Sequence, residues 1–373
     1  MAGTNISRAN GSGSATNKFT LSVWVKRGIT DQGRMFSATG GSGDVYFRFN
    51  AGGVIEWSGH GSNASSAGYF LTNRLFRDFG SWYHFVIRFD STQSTASDRL
   101  RFYVNGVQET SFSTSTNPNQ DVTDNISLSS NTHYWGGAAS SQYFDGMMTH
   151  MHYSNGYSYG PDTFGQTDST SGIWVPKTAP SVTYGSQGYF LKFENSGAMG
   201  TDSSGNSNTF TVANGTLTQQ SDTPSNVFAA WNPKMNNAED GNWSNANLSI
   251  SPNGDAVQIY APITFPLSKG KWYSEHMITG GNGYGSLGLS GASNISDIFR
   301  TGEEPGLTAP SFAFRCINGG IKMNNANTSY GSAPGTSDAI LGMAVDIDNK
   351  KVWYSINGTY VTYGGGVGNP AAG

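Results

Sequence analysis

Cysteine is nearly absent from this sequence: Cys316 is the single one in 373 residues. No disulfide can close within the chain, so its stability does not depend on an oxidising compartment. Charge is scarce as well. Only 12% of residues are charged and the net charge is -4, which leaves no basic field to attract nucleic acid or an anionic membrane. No run approaches the ~18 apolar residues of a membrane span, and the opening "MAGTNISRANGSGSATNKF" lacks the basic flank and apolar stretch of a secretory leader. The expectation is a soluble protein with no membrane insertion and no nucleic-acid partner. Glutamate is rare too, seven in all, which weighs against chemistry built on paired carboxylates. Helical periodicity is hard to find anywhere.

What the chain does have is glycine, 50 residues of it, and aromatics at 13%, enough to argue against disorder. Short alternating runs bounded by Gly, Asn, Asp and Ser recur throughout, such as "FTLSVWVKR", "DVYFRFNAGGVIEWSG", "WYHFVIRFD" and "GYFLKFEN". These predict half-buried strands joined by tight turns. One hairpin is written twice. In "DRLRFYVNGVQE" Leu100, Phe102 and Val104 lead into Asn105-Gly106, and in "DNKKVWYSINGTY" Val352, Tyr354 and Ile356 lead into Asn357-Gly358. Asn-Gly supplies the positive φ values of a two-residue hairpin turn, and alternation gives each hairpin one apolar face. Cys316, inside "SFAFRCINGG", takes the place of a small buried apolar residue in a strand.

At roughly 150 residues per domain the length predicts two or three domains. Residues 1–195 form the first, ending at a strand over 189–194. Residues 196–227 are small, polar and turn-rich, which predicts a connector. Strand signals resume over 228–373.

The order of motifs is more specific than any one hairpin. "KFTLSVWVKRG", "FGSWYHFVIRFDST", "RLRFYVNGVQ" and "YFDGMMTHMHYSNG" together resemble the laminin G-like, concanavalin A-like jelly roll over residues 1–195. The stretch 168–226, from "DSTSGIWVPKTAP" to "SDTPSN", is similar to segments that follow such a jelly roll in virion proteins of marine bacteriophages. "LSKGKWYSEHMITGGNGYGSLGLSG" followed by "ILGMAVDIDNKKVWYSING" resembles a SPRY domain, itself a concanavalin-type sandwich used for binding. SPRY domains carry further strands after this hairpin, whereas this sequence ends in "GGGVGNPAAG"; the second sandwich is expected to be incomplete or to be completed by another element. The fold implied is all-β, with two concanavalin A-like antiparallel β-sandwiches (jelly rolls) in tandem.

Carbohydrate-cleaving relatives of this fold use a carboxylate pair, one protonated and one ionised. No strand here carries such a pattern; the nearest candidates are Glu303 with Glu304 in a loop, and Asp346 with Asp348 before a turn. His150 and His152, two apart on a predicted strand, have a spacing that could serve a metal, but Met148, Met151 and Tyr153 read as the inward residues and no third ligand can be named. Calcium at a sandwich rim is what the laminin G resemblance implies as a structural ion, with no ligand set readable and no other cofactor. Neither a nucleophile elbow nor a phosphate cradle is present. No catalytic residue is assigned. The candidate binding residues are aromatics in turn-rich segments: Trp57, Tyr134, Trp135, Tyr157, Tyr159 and Tyr284, rings able to stack on sugars or anchor an interface.

These observations and the resemblance lead to the expectation of a non-enzymatic bacteriophage virion protein: a tail fibre, spike or capsid-surface appendage, assembled in the host cytoplasm. Its expected partners are host-surface polysaccharide, other virion proteins and further copies of itself, as a trimer if it is a fibre. A purely architectural virion protein and a polysaccharide depolymerase are the alternatives.

Overall fold

The computed structural model describes the chain apart from residues 1–2, 13–14, 29–31, 41–42, 60–66, 234–240, 253–267, 280–285, 291–310, 324, 332, 335–337, 363–367 and 373. Two compact units emerge, one of Met1–Pro233 with Trp243–Ile250 and one of Lys234–Asn242 with Ser251–Gly373.

In the first unit an eight-stranded antiparallel sheet packs on a six-stranded one. The larger holds β1 (Asn5–Ala9), β3 (Gly33–Thr39), β4 (Val45–Asn50), β5 (Val54–Ser58), β6 (Tyr69–Thr72), β10 (Phe112–Thr116), β11 (Thr132–Trp135) and β16 (Thr211–Asn214), in the order β10-β6-β5-β4-β3-β11-β1-β16. The smaller holds β2 (Lys18–Arg27), β7 (Tyr83–Asp90), β8 (Leu100–Val104), β9 (Val107–Glu109), β12 (Gly146–Asn155) and β15 (Tyr189–Leu191), in the order β15-β12-β2-β7-β8-β9. Alternation does the sorting. Phe47 and Phe49 of β4 meet Phe85 of β7 and Phe102 of β8 in edge-to-face contacts at 5.6 to 6.1 Å. Trp57 and Trp135 belong to this core, each 1% exposed. The sequence reading placed both rings at the surface; the strands run through them, Trp57 stacking near Phe19 at 5.9 Å and Trp135 Nε1 donating to the Tyr189 hydroxyl at 3.0 Å.

The outer face of the six-stranded sheet is covered as well. Trp24 stacks on His84 at 4.7 Å, and Trp174, from the hairpin of β13 (Gly165–Thr167) and β14 (Trp174–Pro176), donates its Nε1–H to His84 Nδ1 at 2.9 Å. An indole nitrogen only donates, so His84 Nδ1 carries no proton and its Nε2–H faces Ser22 Oγ at 2.9 Å. His152 stacks on Phe190 at 3.8 Å with Nδ1 at 2.9 Å from the Tyr184 hydroxyl. The histidines expected to point outward at 150 and 152 do lie on the outer face, both against the Phe190 ring at 6.1 and 3.8 Å, but that face is covered: His152 is buried and His150 is partly buried beside a register shift between Thr149 and His152.

Residues 196–227, a connector by composition, are bound to the sandwich. Phe210 lies in the core against Tyr189 at 4.7 Å, and β16 adds an edge strand to β1 with Ile6 opposite Val212. Asp222 forms a fully buried ion pair with Lys26 of β2, accepts from Trp82 Nε1 at 2.8 Å, and lies beside the Phe228 carbonyl that takes a second Lys26 hydrogen bond. One buried carboxylate outweighs the polar character of its neighbours, because Lys26 has no water to turn to.

In the second unit β19 (Lys271–Ile278), β24 (Ala339–Asp346), β25 (Lys351–Ile356) and β26 (Thr359–Tyr360) form one sheet, and β20 (Ser286–Ser290), β21 (Ser311–Arg315), β22 (Gly320–Met323) and β23 (Ala326–Ser329) another. β17 (Gly241–Ser244) and β18 (Ser249–Pro252), whose residues within Trp243–Ile250 are counted in the first unit, pair in a separate ribbon. Leu287, Phe314 and Cys316 share a core with Leu341, Met343, Val345 and Tyr354. Burial holds the Cys316 thiol up at about 12, as suits a small core residue and not a nucleophile.

The hairpin written twice closes identically. Asn105 and Gly106 have φ of 48° and 82°, Asn357 and Gly358 of 49° and 77°. Each Asn also stitches its hairpin to the neighbouring strand: Asn105 Oδ1 accepts from His84 N at 2.7 Å, and Asn357 Oδ1 accepts from Ile340 N at 2.9 Å.

Three outcomes are expected. Burial lowers His84 to about 3 and His133 to about 4, far below the unfolded value near 6.5. The unfolded chain then binds more protons below pH 6.5, so stability present above that pH is lost as pH falls toward 4, by on the order of 2 kcal/mol per histidine; melting temperatures of the first unit that stay level from pH 7 to 5 would contradict this. Asp222→Ala strands the Lys26 ammonium and costs about 3–5 kcal/mol in denaturant melts, whereas Lys26→Met with Asp222→Leu recovers most of that loss. Trp135→Ala removes a core ring and costs about 3–5 kcal/mol of stability; the same melts check it.

Candidate functional site

The outer face of the eight-stranded sheet, unlike that of its partner, carries half-buried polar aromatics. Inward Val45, Phe47 and Phe49 leave Tyr46, Arg48 and Asn50 of β4 outward; on β5 inward Ile55 and Trp57 leave Glu56 and Ser58 outward. The pairings then align one row across six strands: Tyr69 opposite Ser58, Ser58 opposite Tyr46, Tyr46 opposite Ser37, Ser37 opposite Tyr134, and Tyr134 opposite Ser7. Tyrosine and serine alternate along it. With strands ~4.8 Å apart, successive tyrosine positions lie about 10 Å from one another.

Glu56 is the hub beside this row. It is 4% exposed and accepts from the Tyr46 hydroxyl at 3.0 Å, the Tyr69 hydroxyl at 3.1 Å, Arg48 Nε at 2.7 Å and Asn50 Nδ2 at 2.8 Å. Four donors saturate the carboxylate and hold the side chains around it in place. Burial and the Glu56 charge raise both phenols, Tyr69 to about 12, so both remain proton donors at neutral pH.

Next to the hub Arg34 of β3 stands directly opposite Arg48. A bulge between Arg34 and Phe36 turns Arg34 outward while Phe36 stays in the core. Both guanidiniums pack on the Tyr46 ring, at 4.5 and 5.0 Å from its centroid, and Arg34 Nη1 pairs with Asp44 at 3.2 Å. The Arg34 side chain is 9% exposed, and its buried Nε has no hydrogen-bond partner among the described residues. A cavity of about 150 Å³ opens here, lined by Gln32, Gly33, Arg34, Arg48 and Gln142. Gly33 brings Gln142 into its wall: a Cβ there would lie 2.7 Å from the Tyr143 carbonyl, and Arg34 N donates to Gln142 O at 2.9 Å.

Of the six aromatics chosen from the sequence, only Tyr134 is on this face. Trp57 and Trp135 are in the core beneath it. Tyr157 and Tyr159 stack on each other at 6.3 Å beside the other sheet, where Thr20 Oγ1 binds the carbonyl of the first and the amide of the second; the Tyr159 hydroxyl is taken by Thr183 N at 3.0 Å. Tyr284, Glu303 and Glu304 lie outside the described residues. The sequence reading missed Arg34, Tyr46, Arg48, Glu56 and Tyr69. The alternation of "DVYFRFN" did place Tyr46 and Arg48 on one face, but their convergence with Glu56 and Tyr69 depends on strand register.

Among the described residues no three His, Cys, Asp or Glu are grouped for a metal ion. Two carboxylates rich in partners do not fit the expected calcium, because donors already occupy their oxygens: Asp124 accepts from Thr16 and Ser127, and Asp202 from Phe190 N, Ser204 and Asn208 N. Asp346 serves the turn that follows it, accepting from Asn349, and Asp348 accepts from the distant Gly270 N.

No curated protein sequence matches the chain. Solved structures that are similar include a candidate carbohydrate-binding protein from Bacteroides ovatus, 14% identical, covering 49% of this chain and 59% of that one with a TM-score of 0.31. A heptameric SAP-like pentraxin from Limulus polyphemus is 16% identical, covering 49% and 95%, with a TM-score of 0.29. Domains LG4-5 of the mouse laminin alpha1 chain are 9% identical, covering 96% and 74%, with a TM-score of 0.32. The chain thus spans somewhat under two thirds of the Bacteroides protein. Residues 2–157 match the family described as the concanavalin A-like lectin/glucanases superfamily, of laminin G type, and the all-β, two-sheet antiparallel sandwich they help to build is consistent with that fold.

Proposed function

We propose that this protein is a non-catalytic, glycan-binding component of a bacteriophage virion, exposed on a tail fibre, spike or capsid-surface appendage. The observation that carries the glycan reading is the Tyr69, Tyr46, Tyr134 row beside a cavity of amides and guanidiniums. Planar, half-buried side chains locked by a shared carboxylate offer apolar ring surface and fixed hydrogen-bond donors together, as hydroxyl-rich ligands require. The saturation of Glu56 favours binding over hydrolysis, since a carboxylate holding four donors has no proton to give a leaving group.

The virion setting rests on the similarity of 168–226 to segments of marine phage proteins. A disulfide-free, low-charge surface agrees with it, folding in a reducing cytoplasm and working outside the cell. The second unit, read as SPRY-like, adds another binding module. Repetition in a homo-oligomer, a trimer in a fibre, turns weak single-site binding into avidity. In the architectural reading the same face would contact neighbouring virion subunits.

The test is binding of the purified protein to fragments of host envelope polysaccharide by calorimetry. Tyr69→Ala and Tyr134→Ala are each expected to weaken it about tenfold, the effect of losing one ring contact. Absence of saturable binding to any fragment would move the row to the architectural reading.

A further inference from the structure

We propose that the cavity beside Arg34 takes the carboxylate of an acidic sugar, making the protein selective for uronate-containing glycans. This inference rests on the glycan reading of the same face and specifies its ligand class.

The argument begins with an unsatisfied donor. Arg34 is nine-tenths buried, uses Nη1 on Asp44, and leaves a buried Nε–H without an acceptor. An unpaired buried donor is costly, and a ligand oxygen removes that cost. A second guanidinium stands directly across from it, since Arg34 and Arg48 face each other on paired strands. Like charges so placed repel, and an anion lodged against them relieves the repulsion. Each is already half compensated on its far side, Arg34 by Asp44 and Arg48 by Glu56. The four charges sum to zero, so the site suits a monoanion such as a carboxylate better than a dianionic phosphate. Guanidinium groups match carboxylate geometry, and both of these are held rigid against the Tyr46 ring.

Size sets how much of the ligand enters. A cavity of about 150 Å³, the size of an engineered cavity that holds benzene, takes the carboxylate and the ring edge that bears it and no more. The carboxylate therefore enters toward the arginines, between Gln32 and Gln142 of the same lining, while the rest of that sugar ring stays at the mouth. The rest of an extended glycan lies along the tyrosine row.

Binding of oligogalacturonate, oligoglucuronate and oligomannuronate to the full chain, each beside its carboxyl-reduced neutral counterpart, tests this by calorimetry. An acidic member is expected to bind roughly tenfold to a hundredfold more tightly than its reduced form, the range of one or two charge-assisted hydrogen bonds. Arg34→Gln is expected to abolish that preference while binding of the reduced forms persists; Arg48→Gln, which also removes the cation paired with buried Glu56 and so lowers the melting temperature, serves as the second variant and is expected to lose the same preference. Equal binding of acidic and reduced forms would overturn the carboxylate assignment and leave the glycan reading standing. A neutral oligosaccharide preferred over every uronate would do the same, and no binding by any of the six would overturn both.

Discussion

The register of β4 between β3 and β5 is the constraint on which the rest of the first unit depends. Side chains alternate with a period of two, so Phe47 and Phe49 pointing in compels Tyr46, Arg48 and Asn50 to point out. A slip of one residue would drive a phenol, a guanidinium and an amide into a core packed at aromatic contact distance. The energetic penalty of that exchange sets the outer face as firmly as the inner one. The polar row and the Glu56 hub are the reverse side of a hydrophobic core, which explains how an open, half-exposed surface is held in place without a disulfide.

The opposite sheet resolves the same alternation differently. Its outward residues Trp24, His84, His152 and Phe190 are covered by Trp174, Phe164 and Tyr184, so the middle of that sheet is buried on both faces, whereas the eight-stranded sheet presents its outer face half-open. The covering layer uses histidines as neutral aromatic rings with one donor and one acceptor each. Trp174 reaches His84 over the twice-written hairpin turn: a Cβ on Gly106 would lie 2.9 Å from the Trp174 ring, so the glycine that permits the turn also leaves room for the indole. The extension 196–227 is held by the same logic, through a buried Lys26–Asp222 pair that has protein partners on every side.

Much of this architecture was legible in the sequence. The all-β class, the strands of the jelly roll and both Asn-Gly turns follow from alternation and from the φ preferences of two residues, which are local properties. Residues 196–227 were not legible as part of the sandwich, because a single Phe210 and a single Asp222 carry the attachment and neither has a local signature. Nor was the burial of His152, since the Phe164, Tyr184 and Phe190 rings that cover it come from other parts of the chain. Trp57 and Trp135 look like loop aromatics in "IEWSGHGS" and "THYWGGAAS", yet each is the last large side chain of a strand before its turn. Local composition describes the turn, while burial is decided by the strand.

The sequence by itself determined which residues lie on the same face of each strand, since that depends only on backbone geometry and the spacing of apolar side chains. Only the tertiary structure decided which strands are neighbours, and so brought Tyr69, Tyr46 and Tyr134 into one row and set Arg34 against Arg48. Those side chains come from β3, β4, β6 and β11, and the pairings that join them are non-local hydrogen-bonded ladders. A ladder's partner is selected by the whole packed core at once, so no stretch of the chain encodes the row alone.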